Sequence, residues 1–152
     1  MSNHLDILAF DPGESTGWCV RSWIVHGSQP GAYEYFGGTL PKDHQRVAGL
    51  ICQWAPQIVV LERFNLYPQM AKSLAWNSFY PCEVIGVIRY MCAEMDIQVV
   101  EQAPSVKKYF GGFQADWEQV KETPDFKLTE HVKDAYQHLK YFERNGLKKF
   151  RA

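Results

Sequence analysis

The sequence lacks three features that would assign it to a membrane, secreted or uniformly basic class. It contains no apolar run of about 18 residues, which excludes a membrane-spanning helix. Its first residues have neither a basic start nor the apolar core of a signal peptide, so we expect a cytoplasmic protein. Its 16 basic and 17 acidic residues nearly balance, which excludes a uniformly basic nucleic-acid-binding surface but not a local basic patch.

Motifs for several common chemistries are also missing. The four cysteines show no CxxC spacing, so neither a zinc site nor a disulfide framework is expected. There is no GxGxxG or Walker loop, and no local context typical of a Ser/His/Asp triad. Dinucleotide, P-loop nucleotide and serine-hydrolase chemistry are therefore not indicated.

What the chain does contain is enough apolar surface for one well-packed domain. Hydrophobic residues make up 46% and aromatics 14% of its 152 residues. The pattern predicts an antiparallel meander of three strands, then alternating helices and strands, then two helices. That order is typical of an α/β layered sheet with helices on both faces. We expect a single domain over residues 1–146 and a loose basic tail over residues 147–152.

Two carboxylates end the most apolar predicted strands. Asp11 closes the strand that begins near Leu5, and Glu62 closes the run that begins at Ile58. A carboxylate at the end of a buried strand is costly unless it meets a cation, and strand ends commonly carry site residues. Two structural readings remain open. Asp11 could simply form an Asp-Pro-Gly turn, and Glu62 could pair with Arg63.

A third polar signal lies near the end of the chain. His131 and Asp134 are three residues apart in a helical pattern that Thr129 can cap, so they share one helix face. A solvated face is the alternative explanation. Together with Asp11 and Glu62, the pair forms a set of hard donors of the kind that holds Mg²⁺ or Mn²⁺. Two such ions can hydrolyse a phosphodiester.

Four stretches, in this order, resemble the motifs of the RuvC-type Holliday junction resolvases. Residues 7–18 read ILAFDPGESTGW, like the first motif, and residues 58–62 read IVVLE, like the strand that ends in a catalytic Glu. Residues 85–88 with residues 99–111 are similar to the family's third region, and HVKDA at 131–135 is similar to its closing D-x-x-D-A motif. The resemblance covers nearly the whole chain and is nearer to the phage and viral branch.

This resemblance implies a ribonuclease-H-like fold with a five-stranded mixed sheet. It also implies a homodimer that binds a four-way DNA junction and nicks opposed strands symmetrically, leaving a 5′-phosphate and a 3′-hydroxyl. Asp11, Glu62, His131 and Asp134 would be catalytic ligands of two Mg²⁺ or Mn²⁺ ions, with no nucleotide cofactor and no membrane partner. A phage-encoded member would act in the host cytoplasm. His131 stands where most members have Asp, and its softer imidazole predicts that Mn²⁺ works at least as well as Mg²⁺.

The charge distribution suggests where DNA would bind. Residues 1–102 hold six basic and ten acidic residues, whereas residues 103–152 hold ten basic and seven acidic ones. The basic half contains Lys107 and Lys108, in the region that resembles the family's DNA-contacting lysines, and we expect them to contact phosphates. Ordinary solvated lysines are the alternative.

Aromatic residues after Glu62 form a second set of DNA-binding candidates. Phe64 and then Tyr67 resemble the family's residue that stacks on unpaired bases at the junction centre, and Arg63 lies beside them. Packing against the sheet or a helix would explain both aromatics equally well.

Three other functions fit parts of the sequence. A nuclease of the same fold could act on RNA–DNA hybrids or flaps, because the acidic residues would be shared and a fold does not fix a substrate. A junction-binding protein without activity would fit the His in place of Asp. A nucleotide-binding fold of the actin and sugar-kinase type uses a similar Asp-x-Gly element, but it normally needs two domains and this chain has room for one.

Overall fold

The computed structural model describes residues 3–64, 80–109, 118–123 and 127–151. The strands are β1 (Ile7–Asp11), β2 (Thr16–Ile24), β3 (Ala32–Leu40), β4 (Ile58–Glu62), β5 (Gln98–Gln102) and β6 (Val120–Glu122). The α-helices are α1 (His44–Trp54), α2 (Tyr80–Glu94), α3 (Glu130–Tyr141) and α4 (Lys148–Arg151). A 3₁₀ helix spans Pro104–Tyr109, and a π-helical turn, Phe142–Gly146, follows α3. No described helix has both the length and the apolar character needed to cross a membrane.

The strands form one mixed sheet in the order β5-β4-β1-β2-β3-β6. β1, β2 and β3 are joined as the predicted antiparallel meander, while β4 lies parallel to β1 and β5 parallel to β4. Among the described residues the sheet has six strands rather than the expected five. The additional strand β6 pairs in parallel with β3, and at three residues it is too short and too polar for its pattern to reveal it.

Local chemistry explains where the helices begin. Asp43 caps α1, its carboxylate accepting hydrogen bonds from the backbone N–H groups of Gln45 and Arg46. The sequence predicts a helix from Gln69 to Met95 that Pro81 must interrupt, but the described helix α2 begins at Tyr80. Pro81 therefore lies in its first turn, where the missing N–H costs nothing. The earlier part of that predicted helix lies outside the described residues.

Helices α1 and α2 cover one face of the sheet with apolar side chains. The core on this face joins strand residues such as Leu8 and Leu61 to Ile51 of α1 and Ile88 of α2. These side chains are almost completely buried. Burial of apolar surface contributes about 25 cal/mol per Å², so this layer is a principal source of stability.

Helix α3 covers the opposite face, and here the core includes charged side chains. Glu143, just after α3, accepts a hydrogen bond from the hydroxyl of Tyr35 at 2.8 Å and lies 3.8 Å from Arg21. Lys140 donates to both Tyr35 and Glu143, each at 3.2 Å. Burial, and then the nearby Glu143 carboxylate, raise the pKa of Tyr35, which keeps its hydroxyl protonated. This charged cluster ties the end of α3 to β2 and β3.

The C-terminal segment is packed, so the expectation of a loose tail over residues 147–152 is wrong for the described part. Leu147 is only 5% exposed, and residues 148–151 form a short helix. The ring of Phe150 meets that of Phe142 edge-on, with centroids 5.5 Å apart. The spacing of Leu147 and Phe150 gives one turn of helix two apolar anchors, and these outweigh the solubility of the intervening lysines. The domain boundary at residue 146 remains a prediction.

Candidate active site

Asp11 and Glu62 lie side by side at the carboxyl ends of two neighbouring inner strands of the sheet. Each is the last residue of its strand, and each follows directly after the paired residues Phe10 and Leu61 of the parallel strands β1 and β4. Side chains alternate along a strand, so both carboxylates face the same side as Ala9 and Val60, the side that α3 covers. The parallel pairing therefore brings two acids together beneath a helix.

Gly17 allows the start of α3 to approach these strand ends. It is paired with Asp11 across β1 and β2, and a Cβ atom on it would lie 2.0 Å from the carbonyl oxygen of His131. A Cβ on Gly37, in β3, would lie 2.6 Å from Val132. The sequence predicts that glycines after Asp11 admit a ligand, but what the structure brings against Gly17 is the backbone of α3.

The first turns of α3 carry the second pair of candidates. Thr129 caps the helix as predicted, its hydroxyl accepting from the backbone N–H of His131 at 3.3 Å. Because Gly17 neighbours Asp11, this contact places the backbone of His131 beside the first carboxylate. Asp134 follows one turn later on the same helix face and is half-buried.

A buried histidine further along the same face contacts the other carboxylate. The Nε2 atom of His138 lies 2.8 Å from Oε2 of Glu62, and its ring is completely buried. Its Nδ1 atom lies 3.0 Å from the side-chain nitrogen of Gln102, the β5 residue paired with Glu62. Sequence reasoning stopped at Asp134 and missed His138. Extending the helical spacing from His131 and Asp134 by one more turn would have found it.

Helix α3 therefore approaches both strand ends, with its backbone against Gly17 and the ring of His138 against Glu62. His131, Asp134 and His138 are separated by three and four residues, the spacing that aligns side chains along a helix. The first of them lies beside the neighbour of Asp11, and the last contacts Glu62. Asp134 lies between them along the helix, and a shared site for the four predicted ligands remains a prediction.

The chemistry of these donors suits a divalent cation. Three carboxylates and one imidazole match the preferences of Mg²⁺ and, more closely, of Mn²⁺. Within the described residues, no three His, Cys, Asp or Glu side chains form a group that could hold a metal ion. The strand ends and α3 therefore carry donors of suitable chemistry, and their joint binding of an ion remains a prediction.

The residues next to Glu62 are only partly described. Arg63 is exposed and lies 3.9 Å from Glu101, so its nearest described acidic partner is on β5. Phe64 is half-buried at the end of the described stretch. Tyr67 lies outside the described residues, so its predicted stacking role is unaffected by the structure.

Lys107 and Lys108 belong to the 3₁₀ helix that directly follows β5. β5 ends at Gln102 beside Glu62. The backbone of this helix therefore leaves the sheet at the same end of the strands as the two carboxylates. The side chains of both lysines lie outside the described part, and their phosphate contacts remain predictions.

Solved structures with the same fold differ greatly in sequence. Thermus thermophilus RuvC in complex with a Holliday junction substrate has a TM-score of 0.63 and 18% identity, over 94% of this chain and 97% of that chain. A further Thermus thermophilus RuvC structure has a TM-score of 0.61 and 16% identity, over 93% of this chain and 97% of that chain. The fowlpox virus resolvase with its Holliday junction DNA has a TM-score of 0.53 and 11% identity, over 92% of this chain and 98% of that chain. No protein-family model and no curated protein matches the chain.

In each comparison the alignment covers nearly the full length of this chain and of the other chain. These comparisons confirm the predicted ribonuclease-H-like fold of the RuvC type, with the sixth strand as its one departure from the expected sheet. At 11–18% identity they establish the fold and not the activity.

Proposed function

We propose that this chain is a metal-dependent endonuclease that resolves four-way DNA junctions. The observation that carries the proposal is the position of Asp11 and Glu62 at neighbouring parallel strand ends, under a helix that carries His131 and Asp134 and contacts Gly17 and Glu62. This arrangement occurs in a chain whose fold is that of proteins solved with Holliday junction DNA. The fold alone would also suit a nuclease for hybrids or flaps, and the junction substrate is the more specific of the two proposals.

Asp11, Glu62, His131 and Asp134 would hold one or two Mg²⁺ or Mn²⁺ ions. Such ions, when bound, supply Lewis acidity and lower the pKa of a coordinated water. Asp11 and Glu62 would present carboxylates from two strand ends, while His131 and Asp134 on α3 would supply an imidazole and a third carboxylate. A site carried on strands and a helix keeps its donors more precisely oriented than one carried on loops.

The remaining candidates would position the DNA. Lys107 and Lys108 would bind phosphates beside the scissile bond, and Phe64 or Tyr67 would stack on a base opened at the junction centre. A homodimer would present two such sites to opposed strands and cut both symmetrically, leaving a 5′-phosphate and a 3′-hydroxyl at each nick.

The central test uses an immobile, fluorescently labelled four-way junction, with matched duplex, flap and RNA–DNA hybrid controls. We expect paired nicks in opposed strands with Mg²⁺ or Mn²⁺, and none with EDTA. Asp11→Asn and Glu62→Gln should each abolish cleavage. Asp96→Asn and Glu94→Gln are matched controls, because both acids are exposed at the end of α2 and Asn tolerates the positive φ of Asp96. Both controls should cut normally.

Each other result of this assay has a definite meaning. Tight junction binding without nicks under any metal would replace the proposal with an inactive binding protein. Faster cleavage of hybrids or flaps would keep the nuclease and change its substrate. Cleavage that survives both Asp11→Asn and Glu62→Gln would reject the site.

The phosphate-binding role of the lysines is tested by salt dependence. Each lysine that neutralises one phosphate contributes about 0.9 to the slope of log affinity against log salt concentration. Lys107→Ala and Lys108→Ala should each lower that slope by roughly this amount. Lys121→Ala is the matched control, because Lys121 pairs with Glu34 at the opposite side of the sheet. Unchanged slopes in both test variants would exclude these lysines from the interface.

A further inference from the structure

The buried hydrogen bonds around His138 define which of its ring nitrogens carries the proton. The side-chain nitrogen of Gln102 lies 2.9 Å from the carbonyl oxygen of His138. A carbonyl only accepts, so this atom must be the amide NH₂ and not the amide oxygen. The same nitrogen lies 3.0 Å from Nδ1 of His138. Nδ1 must therefore accept, and it carries no proton.

This assignment fixes the other side of the ring. A neutral imidazole holds one proton, so with Nδ1 accepting, the proton resides on Nε2. Nε2 lies 2.8 Å from Oε2 of Glu62 and therefore donates to that carboxylate. Three residues on three elements, Gln102 on β5, His138 on α3 and Glu62 on β4, form a directional chain of hydrogen bonds.

We propose that His138 is a positioning residue for Glu62: by holding Oε2 it fixes the orientation of the carboxylate that the proposed site offers to a divalent cation. This inference rests on the proposed function, in which Glu62 is a metal ligand. His138 is completely buried, whereas the Glu62 side chain is 16% exposed, so the donor is rigid where its partner reaches the surface. Hydrogen-bonded partners of ligating side chains typically change metal affinity by about 10–100-fold when they are removed.

The hydrogen-bond chain makes a prediction that needs no metal and no substrate. In nitrogen-15 NMR of the metal-free protein, the signal of the His138 ring should show a proton on Nε2 and not on Nδ1. His138→Gln identifies that signal, because it removes one of the five histidines. Gln102→Met should allow the Nδ1-protonated form of the same ring to appear. A wild-type signal from His138 protonated at Nδ1 would overturn the proposal.

Metal binding tests the positioning role. Mn²⁺ affinity, measured by calorimetry without DNA, should fall about 10–100-fold in His138→Leu, which fills the buried space without a donor. His138→Gln should stay within a few-fold of wild type, because its amide nitrogen can reach Glu62 from nearly the position of Nε2. Thermal unfolding of both variants checks that they fold, so that loss of binding is not loss of structure.

Asp11→Asn separates failure of this inference from failure of the proposed function. If wild type binds Mn²⁺ and Asp11→Asn does not, the metal centre stands. Unchanged affinity in His138→Leu would then overturn the positioning role alone. The positioning role would also be overturned if His138→Gln bound Mn²⁺ as weakly as His138→Leu. A wild-type protein that binds no Mn²⁺ would overturn the metal centre and this inference with it.

Discussion

The two faces of the sheet are built on different principles. The face under α1 and α2 is a continuous apolar layer, with side chains such as Leu8, Ile51 and Ile88 almost completely buried. The face under α3 also buries polar side chains, including Arg21 and His138. Apolar contacts are non-directional and tolerate small shifts, whereas hydrogen-bonded polar groups require a defined geometry. One face therefore supplies stability, and the other fixes the position of α3 over the candidate site.

The polar face fixes α3 at both of its ends. At its start, Gly17 and Gly37 allow the helix backbone to approach the sheet. At its end, Glu143 meets Arg21 and Tyr35. A helix held only by apolar contacts could slide along its axis, but these two contacts oppose such movement. The start of α3, with His131 and Asp134, is thereby kept in register with the strand ends.

Truncation of the apolar face should give the largest loss of stability. Ile51 is completely buried in α1, and Ile51→Ala should lower the free energy of unfolding by about 2–5 kcal/mol, through lost burial and the cavity it leaves. Chemical denaturation measures the effect. Cys52→Ala, at the adjacent exposed position, should stay within about 0.5 kcal/mol of wild type. Similar losses in the two variants would contradict the central role of this layer.

A methyl group on Gly17 should disturb the polar face. In Gly17→Ala the new Cβ would meet the carbonyl of His131, so α3 must shift or the strand must bend. Overpacking of this kind costs about 1–3 kcal/mol, and we also expect loss of DNA cleavage because His131 and Asp134 move. Gly49→Ala is the matched control. A Cβ there meets nothing within 4 Å, and alanine favours the helix by up to about 1 kcal/mol. A fully active Gly17→Ala would contradict the close approach.

Neutralising the charged cluster should have a smaller effect. Glu143→Gln keeps the shape of the side chain but leaves Arg21 and Lys140 without its charge in a nearly buried site. We expect a loss of about 1–2 kcal/mol in the free energy of unfolding. Glu130→Gln, an exposed acid that pairs with Lys133 on α3, should change stability by less than about 0.5 kcal/mol. Equal effects would mean that the cluster behaves as an ordinary surface.

The last effect is absent at neutral pH and appears only at alkaline pH, on the apolar face. Burial raises the pKa of the Cys92 thiol from 9.0 to about 11. Between these values the unfolded chain loses the thiol proton and the folded chain keeps it, so stability falls as pH rises. Cys92→Ala should flatten this decline in unfolding free energy between pH 9 and 11. Cys52→Ala should leave it unchanged, because Cys52 is exposed. An identical slope in wild type and Cys92→Ala would exclude this contribution.

The sequence was most informative where the hydrophobic pattern of an element and the residues that begin or end it agree. β1 and β4 are short apolar runs that end in a carboxylate, and both end at the predicted residue. Thr129 and Asp43 cap the helices that their positions predict. These features are local, because strand and helix patterns depend on neighbouring residues. The parallel pairing that brings Asp11 beside Glu62 is not local, and it is the register of the two strands that shows it.

The features that were missed depend on contacts between distant residues. β6 is a strand only because β3 offers it an edge, and its own three residues carry little strand signal. Helical spacing places His138 on the face of His131 and Asp134, but spacing alone does not show that its ring is buried against Glu62. Its role follows from Gln102 and Glu62, 36 and 76 residues earlier in the chain. The tail was misjudged because its three basic residues outnumber Leu147 and Phe150, although those two side chains determine its packing.

Strand β6 has a consequence for how the protein behaves at high concentration. Without it, the nine-residue strand β3 would present an open row of backbone hydrogen-bonding groups to any other chain. β6 pairs with Tyr35 to Gly37 at the middle of that row, and its exposed Lys121 lies against Glu34. A short charged strand is a poor template for further pairing. This small element therefore protects the sheet from edge-to-edge aggregation, which is a matter of solubility and not of catalysis.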